Sequence, residues 1–338
     1  MEVLVSENSV VQKKRIAWVD IAKGFTILTV IWSHTLTFGS LPRNLIFCSH
    51  MPLFFILSGF TLKPAKDFED LVNRTKKDFA RLILPVIFIL IATGILNVLL
   101  NGLSAQSEFY NFFYKLFWAN GIIIEDGMPA MGMPWFLVSL FLAKFLIRIF
   151  SLIFTNGFEL VSFLCGFIGM MLGLKHIWLP LNLDMMLVCM MFVAGGMLAR
   201  NHLQILQKYK TLIFILSAFF VYQMLLNGQY IEFAGHSYTV ATIIEGFAAS
   251  YIVCALCRAM ETNSIVHKIL CFIGVNTMPI FLTHHLDRFL AFLYINDNMY
   301  IACILRTLLV LLLAFIFTFT FRTVKHWGTT FIHKKFTS

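Results

Sequence analysis

The sequence predicts an all-α integral membrane protein of about ten transmembrane helices, with both termini in the cytoplasm. Three observations predict it. Of 338 residues, 59% are hydrophobic and only 13% charged, about half the charge of an ordinary soluble domain; mean hydropathy is +0.83. Apolar segments long enough to cross ~30 Å of hydrocarbon recur ten times along the chain. The basic residues also collect on alternate loops, as they do in polytopic membrane proteins.

In chain order the predicted spans are 16–38, 45–63, 81–101, 134–154, 158–175, 181–199, 211–228, 239–259, 269–290 and 301–321. Residues 1–15 form a polar cytoplasmic tail without the pattern of a cleavable leader, and 322–338 a second, basic one. The longest stretches between spans are 64–80 and 102–133, and neither a soluble domain nor a clear internal repeat interrupts the chain, which reads as a single membrane domain over 1–338.

With the N-terminus inside, 20 of the 26 Lys and Arg fall on the inner side, including Lys63, Lys66, Arg74, Lys76, Lys77 and Arg81 after the second span. That asymmetry sets the orientation. The net charge of +9 is therefore a signature of topology, with anionic lipid headgroups as neighbours rather than nucleic acid. The chain is expected in the plasma or inner membrane as a multi-pass protein. Trp18, Trp118, Trp135, Trp178 and Trp327 lie near predicted interfaces, as aromatic belts do. Seven cysteines, an odd number scattered through apolar runs, argue against a disulfide framework. Cys254 and Cys257 form a C-x-x-C without a second ligand pair, so no metal is expected.

The first span carries the most informative pattern. Lys23 and His34 are eleven residues apart, which in a helix is three turns plus ~20°, so they share a face about 16 Å apart along the axis. Asp20 sits three residues before Lys23, where it can pair with the ammonium. Ionisable groups inside a bilayer are costly and usually face a cavity, a partner or a substrate path. The second span begins Ser49-His50-Met51-Pro52 and runs on to Ser58-Gly59-Phe60, a small pair that permits close approach of a helix or a ligand. Arg81 to Pro85 opens the third span, and Pro134-Trp135-Phe136-Leu137 the fourth.

Taken in order, these stretches resemble the acyltransferase-3 family of integral-membrane acyltransferases. Asp20-x-x-Lys23-Gly24 followed by His34 resembles the family's signature, an Arg or Lys ten residues before an essential histidine. Pro52 to Phe60, Arg81 to Pro85, Pro134-Trp135 and the run Ile273-Gly274-x-Asn276-Thr277-x-Pro279 to His284 resemble its later motifs. The resemblance implies transfer of an acyl group, commonly acetyl from acetyl-CoA, to a hydroxyl of a cell-surface or lipid-linked carbohydrate, with no metal. His34 would be the catalytic histidine, with Lys23 and Asp20 as its basic and acidic partners. Arg81 would meet the donor's phosphates, supported by Lys77, with Ser58 and Gly59 beside the donor. Leu84 stands where the family often has a second arginine, and the family's fourth-span glutamate has no counterpart near Lys144.

Four further residues are candidates for holding the acceptor or orienting His34: Trp135, His284, Glu245 and His50. Glu245 and Arg306 fall in the outer halves of their spans and can neutralise each other; Glu245 or Asp184 could alternatively orient the His34 imidazole. The rival class is a secondary transporter, or a partner in glycan export, in which the intramembrane Lys, Asp and His form a proton relay. The absence of a visible inverted repeat speaks against the transporter. Oligomeric state is not legible.

Overall fold

A computed structural model describes residues 15–124, 129–154, 156–236, 238–261 and 265–336, with side chains as far as 320. It is 79% helical, with no strand among the described residues. Fifteen α-helices follow in order: α1 (Ala17–Ser33), α2 (Leu41–Phe47), α3 (His50–Thr61), α4 (Phe68–Asp78), α5 (Leu84–Asn101), α6 (Ala105–Trp118), α7 (Trp135–Ile153) and α8 (Phe158–Leu174). Then come α9 (Leu183–Asn201), α10 (Leu203–Lys208), α11 (Lys210–Leu226), α12 (Val240–Ala259), α13 (Ile265–Val275), α14 (Thr277–Leu286) and α15 (Met299–Phe336).

Six of the resulting helical segments are long and apolar enough to cross a membrane, or seven if the pair made by α13 with Thr277–Leu293, bent by 70°, is one broken span. α1, α8 and α11 stop at 17 residues each. The ten predicted segments therefore each find a helix, but among the described residues fewer than ten helices reach full span length. The chain is a multi-pass membrane protein in which α1 ends five residues before its predicted boundary, because the backbone turns at His34 and Pro42 opens α2. The predicted tail 1–15 lies almost wholly outside the described residues. At the other end α15 runs on as helix to Phe336, through most of the predicted tail 322–338.

Several boundaries have visible causes. The Asp67 carboxylate accepts from the Asp70 amide at 2.7 Å and starts α4. A reciprocal pair of Thr239 and Thr242 bonds starts α12. The predicted loop 64–80 is mostly the amphipathic helix α4, joined to α5 through a π-helical turn at Phe79–Ile83 that carries Arg81. The ninth predicted span breaks at Asn276, whose φ of −101° and ψ of 23° are non-helical. Pro279 follows three residues later and supplies no backbone donor to the preceding turn.

α9 is the centre of the bundle. It packs on α3, α7 and α8, and 72% of its apolar window is buried, against 28% for the windows in α4–α5 and α15 at the periphery. Large exposed side chains such as Leu99, Phe219, Leu308 and Phe319 then form the surface offered to lipid. In lipid, apolar surface gives little drive for helix pairing, so close packing must supply it. Two crossings do so with glycine pairs. A Cβ on Gly24 would lie 2.1 Å from the Leu270 carbonyl oxygen, and one on Gly274 1.8 Å from that of Asp20. These close the contact between α1 and α13. Between α3 and α9, a Cβ on Gly59 would lie 1.9 Å from the Val193 carbonyl oxygen, and one on Gly196 2.0 Å from that of Ile56.

Gly274→Ala and Gly59→Ala are expected to destabilise the protein by at least the ~1–3 kcal/mol typical of overpacking, because the obstructing atoms are backbone. Gly94→Ala, whose Cβ would meet only the Glu108 side chain at 3.6 Å, should leave the thermal midpoint in detergent unchanged.

Candidate active site

The site is built where α1 ends. His34 is the residue after the last turn of α1, with φ −86° and ψ 0°, and its side chain is exposed to a cavity of about 190 Å³ instead of being packed in the core. Val30, one turn earlier, shares that wall. His50 from α3, Trp135 from the start of α7, Arg43 and Phe47 from α2, and Phe281 from α14 line it as well. Residues 231–234 form a further part of the wall. His50 keeps its ring in place through a 3.0 Å contact from Nδ1 to the Ile46 carbonyl.

Behind His34 stands a fully enclosed polar chain. The His284 ring lies 5.4 Å from the His34 ring, centroid to centroid and tilted by 50°. His284 Nδ1 is 2.9 Å from Asp287 Oδ2. Arg306 from α15 donates to both Asp287 oxygens, each at 2.8 Å. His284 and Asp287 are 0% exposed and Arg306 7%. Both Asp287 oxygens accept from Arg306, so His284 Nδ1 must carry the hydrogen in that contact. The tautomer leaves Nε2 of a neutral His284 as an acceptor.

Arg306 also reaches α1 directly. Its Nη1 donates to the His34 carbonyl at 2.9 Å and to Thr35 Oγ1 at 3.2 Å. The last carbonyls of a helix have no partner within it and sit at the negative end of the dipole, so a guanidinium there satisfies both needs. Trp32 Nε1, donating to Thr307 Oγ1 at 3.0 Å, makes a second tie between α1 and α15. The break at Asn276 turns α14 away from the α13 axis, and α14 then delivers His284 to this point.

The 231–234 wall has its own anchor. His236 has a positive φ of 55°, stacks on Trp178 at 3.7 Å between ring centroids, and places Nε2 2.6 Å from Asp184 Oδ2. Burial, reinforced by the Asp184 charge, pushes the Tyr238 phenol on the same loop above its ordinary pKa.

The sequence candidates divide accordingly. His34, His50 and Trp135 line the cavity, and His284 backs it. Lys23 is half-buried, 3.9 Å from Asp20, and does not line the cavity. The face of α1 between Lys23 and His34 is closed by the buried side chains of Ile27, Val30 and Ile31. Gly59 faces the α9 backbone, and Ser58 beside it is half-buried. Arg81 and Lys77 are exposed. Near Arg81, Asp78 is held by Lys144 at 2.8 Å and Arg148 at 2.6 Å. Two expected pairings are replaced. Arg306 is neutralised by Asp287, not Glu245, which is buried on α12 near the Ile231 backbone. Asp184 serves His236 and not His34. Asp287 and Arg306 are nineteen residues apart on different helices, a pairing that no periodicity signals.

A family model described as an acyltransferase domain matches residues 16–324, nearly the whole chain. No curated protein and no solved structure matches it.

Removing one partner of the buried pair leaves an uncompensated charge, so Arg306→Met is expected to cost ~3–5 kcal/mol of stability. The double variant Arg306→Met/Asp287→Leu should recover part of that loss, because no charge is then stranded. Chemical unfolding in detergent measures both.

Proposed function

The chain belongs to the acyltransferase-3 family, and from that premise we propose that it moves an acyl group, acetyl in the first instance, from cytoplasmic acyl-CoA to a hydroxyl of a cell-surface or lipid-linked carbohydrate. The observation that carries the reading is His34 facing a cavity while Arg306, Asp287 and His284 hold it from behind. A histidine suits the work, since an imidazole can both take a proton and return it. In the proposed step His34 accepts the proton of the acceptor hydroxyl as the hydroxyl oxygen attacks the thioester carbonyl. The C–S bond breaks, the ester forms, and the CoA sulfur receives the proton from His34. His284, with its Nδ1 fixed by Asp287, orients His34 and stabilises the imidazolium, as the acid of a triad does for its histidine.

The same reading places ten crossings in the plasma or inner membrane with both termini in the cytoplasm, on the strength of the loop charges. α1 then runs outward from Lys23 to His34, and the turn carrying Arg81 lies on the inner side. Arg81 and Lys77 receive the CoA phosphates there, in a basic neighbourhood that includes Lys144 and Arg148. Lys23 and Asp20 stand part-way along the donor's route. Since Ile27 and Ile31 close the direct face of α1, the pantetheine arm reaches His34 only when neighbouring helices part, a binding-linked motion of the kind common in enzymes. Trp135 offers a sugar a flat apolar face, and His50 a polar edge.

Transfer of labelled acetyl from acetyl-CoA to membrane glycans tests the proposal. The native chain should label them, and His34→Ala, while still inserting, should lower the rate by the ~10²–10⁴ attributed to a general base. Full labelling by His34→Ala would sink the mechanism. His284→Ala should lower kcat with little change in KM for acetyl-CoA.

A further inference from the structure

The acyl-transfer reading leaves one buried cation in the cavity wall without work. Arg43, on α2, is 8% exposed and lines the same cavity as His34 and His50. Its guanidinium is held between two rings, Phe38 at 4.4 Å and Phe47 at 3.9 Å to the ring centroids. Phe47 in turn meets the His50 ring edge-on at 4.8 Å. Stacking of this kind fixes the plane of the fork and so the direction of its donors.

The fork has no counter-ion among the described residues. Among the described residues no carboxylate pairs with Arg43, and its enclosed Nη1 has no hydrogen-bond acceptor. Glu232 is the carboxylate in the described wall, on the 231–234 loop, and it makes no ion pair with Arg43. A basic residue near a helix end in a membrane ordinarily extends to water or headgroups. Arg43 is turned inward instead. A buried guanidinium without an anion is costly, so its partner is expected to arrive in the cavity.

We propose that Arg43 recognises an anionic group, a carboxylate or a phosphate, carried by the acceptor whose hydroxyl is acylated at His34. The location of the hydroxyl rests on the proposed acyl transfer; the anion site itself does not. A volume of about 190 Å³ is below the ~300–1,000 Å³ of sites for drug-sized ligands, so a single sugar-sized unit occupies it at a time. Trp135 and Phe233 supply apolar surface, Glu232 an acceptor for hydroxyls, and Arg43 a planar fork that matches two anionic oxygens. The acceptor class this favours is an acidic or phosphorylated sugar. A neutral sugar would leave the guanidinium unpaired, and discrimination by an unpaired buried group is strong. The same anion could instead be the distal carboxylate of a dicarboxylic acyl group on the donor, which the test must separate.

The full chain is purified into discs of phosphatidylcholine alone, so that no anionic headgroup competes. Calorimetry then measures binding of a glucuronic-acid-ended disaccharide, its glucose-ended counterpart and the 6-phosphate of the latter. The charged ligands, or one of them, should bind the native chain about tenfold or more tightly than the neutral one. Arg43→Gln, with its thermal midpoint checked, should erase the difference, Arg43→Lys should keep part of it, and His34→Ala should keep all of it. Equal binding of all three by the native chain, or equal weakening of all three by Arg43→Gln, overturns the proposal. A second arm compares acetyl-CoA with succinyl-CoA. A preference for succinyl-CoA that Arg43→Gln abolishes, with no discrimination among acceptors, puts the anion on the donor and overturns the acceptor assignment. If the binding preference holds while no acyl-CoA is turned over, the anion site stands and the acyl-transfer reading falls.

Discussion

Arg306 holds together what the rest of the site depends on. One guanidinium donates to both oxygens of Asp287 and to the backbone carbonyl of His34, so the same group closes a buried charge pair and pins the end of α1. In a bilayer no water is present to satisfy either need. A buried charge in α15 therefore finds its anion inside the protein, and the end of α1 finds a donor for its last carbonyls in the same group. Both demands converge on Arg306. The His284 ring is fixed by Asp287 Oδ2, the same oxygen that accepts from Arg306 Nε, and that bond sets the direction in which the ring faces.

That geometry is only as rigid as the helices bearing it. α1 is seated on α13 by Gly24 and Gly274, and α3 on α9 by Gly59 and Gly196, with backbone against backbone at both crossings. Such contacts set how closely α1 lies on α13 and α3 on α9, and so where the ends of α1 and α3 stand beside the cavity. The break at Asn276 serves the same end by a different device. An unbroken helix over the ninth predicted span would continue along the α13 axis, whereas the bend of 70° lets α14 bring His284 behind His34.

The cavity itself is chemically mixed. Two histidines, an arginine, a carboxylate and several aromatic rings line a volume too small for a large ligand. The loop wall is held by the His236 contact with Asp184 and the stack on Trp178, a second buried polar cluster that keeps residues 231–234 in place. Polar groups set on fixed apolar walls suit selective recognition better than tight generic binding, because each is satisfied by only a few partners.

The sequence by itself determined the class, the approximate position of every long helix, and the residue on which the chemistry is proposed to turn. The class and the helices follow from local quantities, hydropathy over a window and charge on alternate loops, whereas the role of His34 came from the resemblance of its surroundings to a known family. The sequence also marked His50, Trp135 and His284, since polar or amphipathic groups beside apolar runs are conspicuous. Only the tertiary structure decided who pairs with whom. The sequence offered Glu245 as the partner of Arg306, and the choice of Asp287 depends on how α14 leaves the break at Asn276. Gly59 reads the same whether a ligand or a helix approaches it, and the α9 backbone is what occupies that space. Arg43 reads as an ordinary interfacial cation until the turn after α1 folds α2 inward and buries it. Pairings of this kind join residues far apart in the chain, where periodicity carries no information.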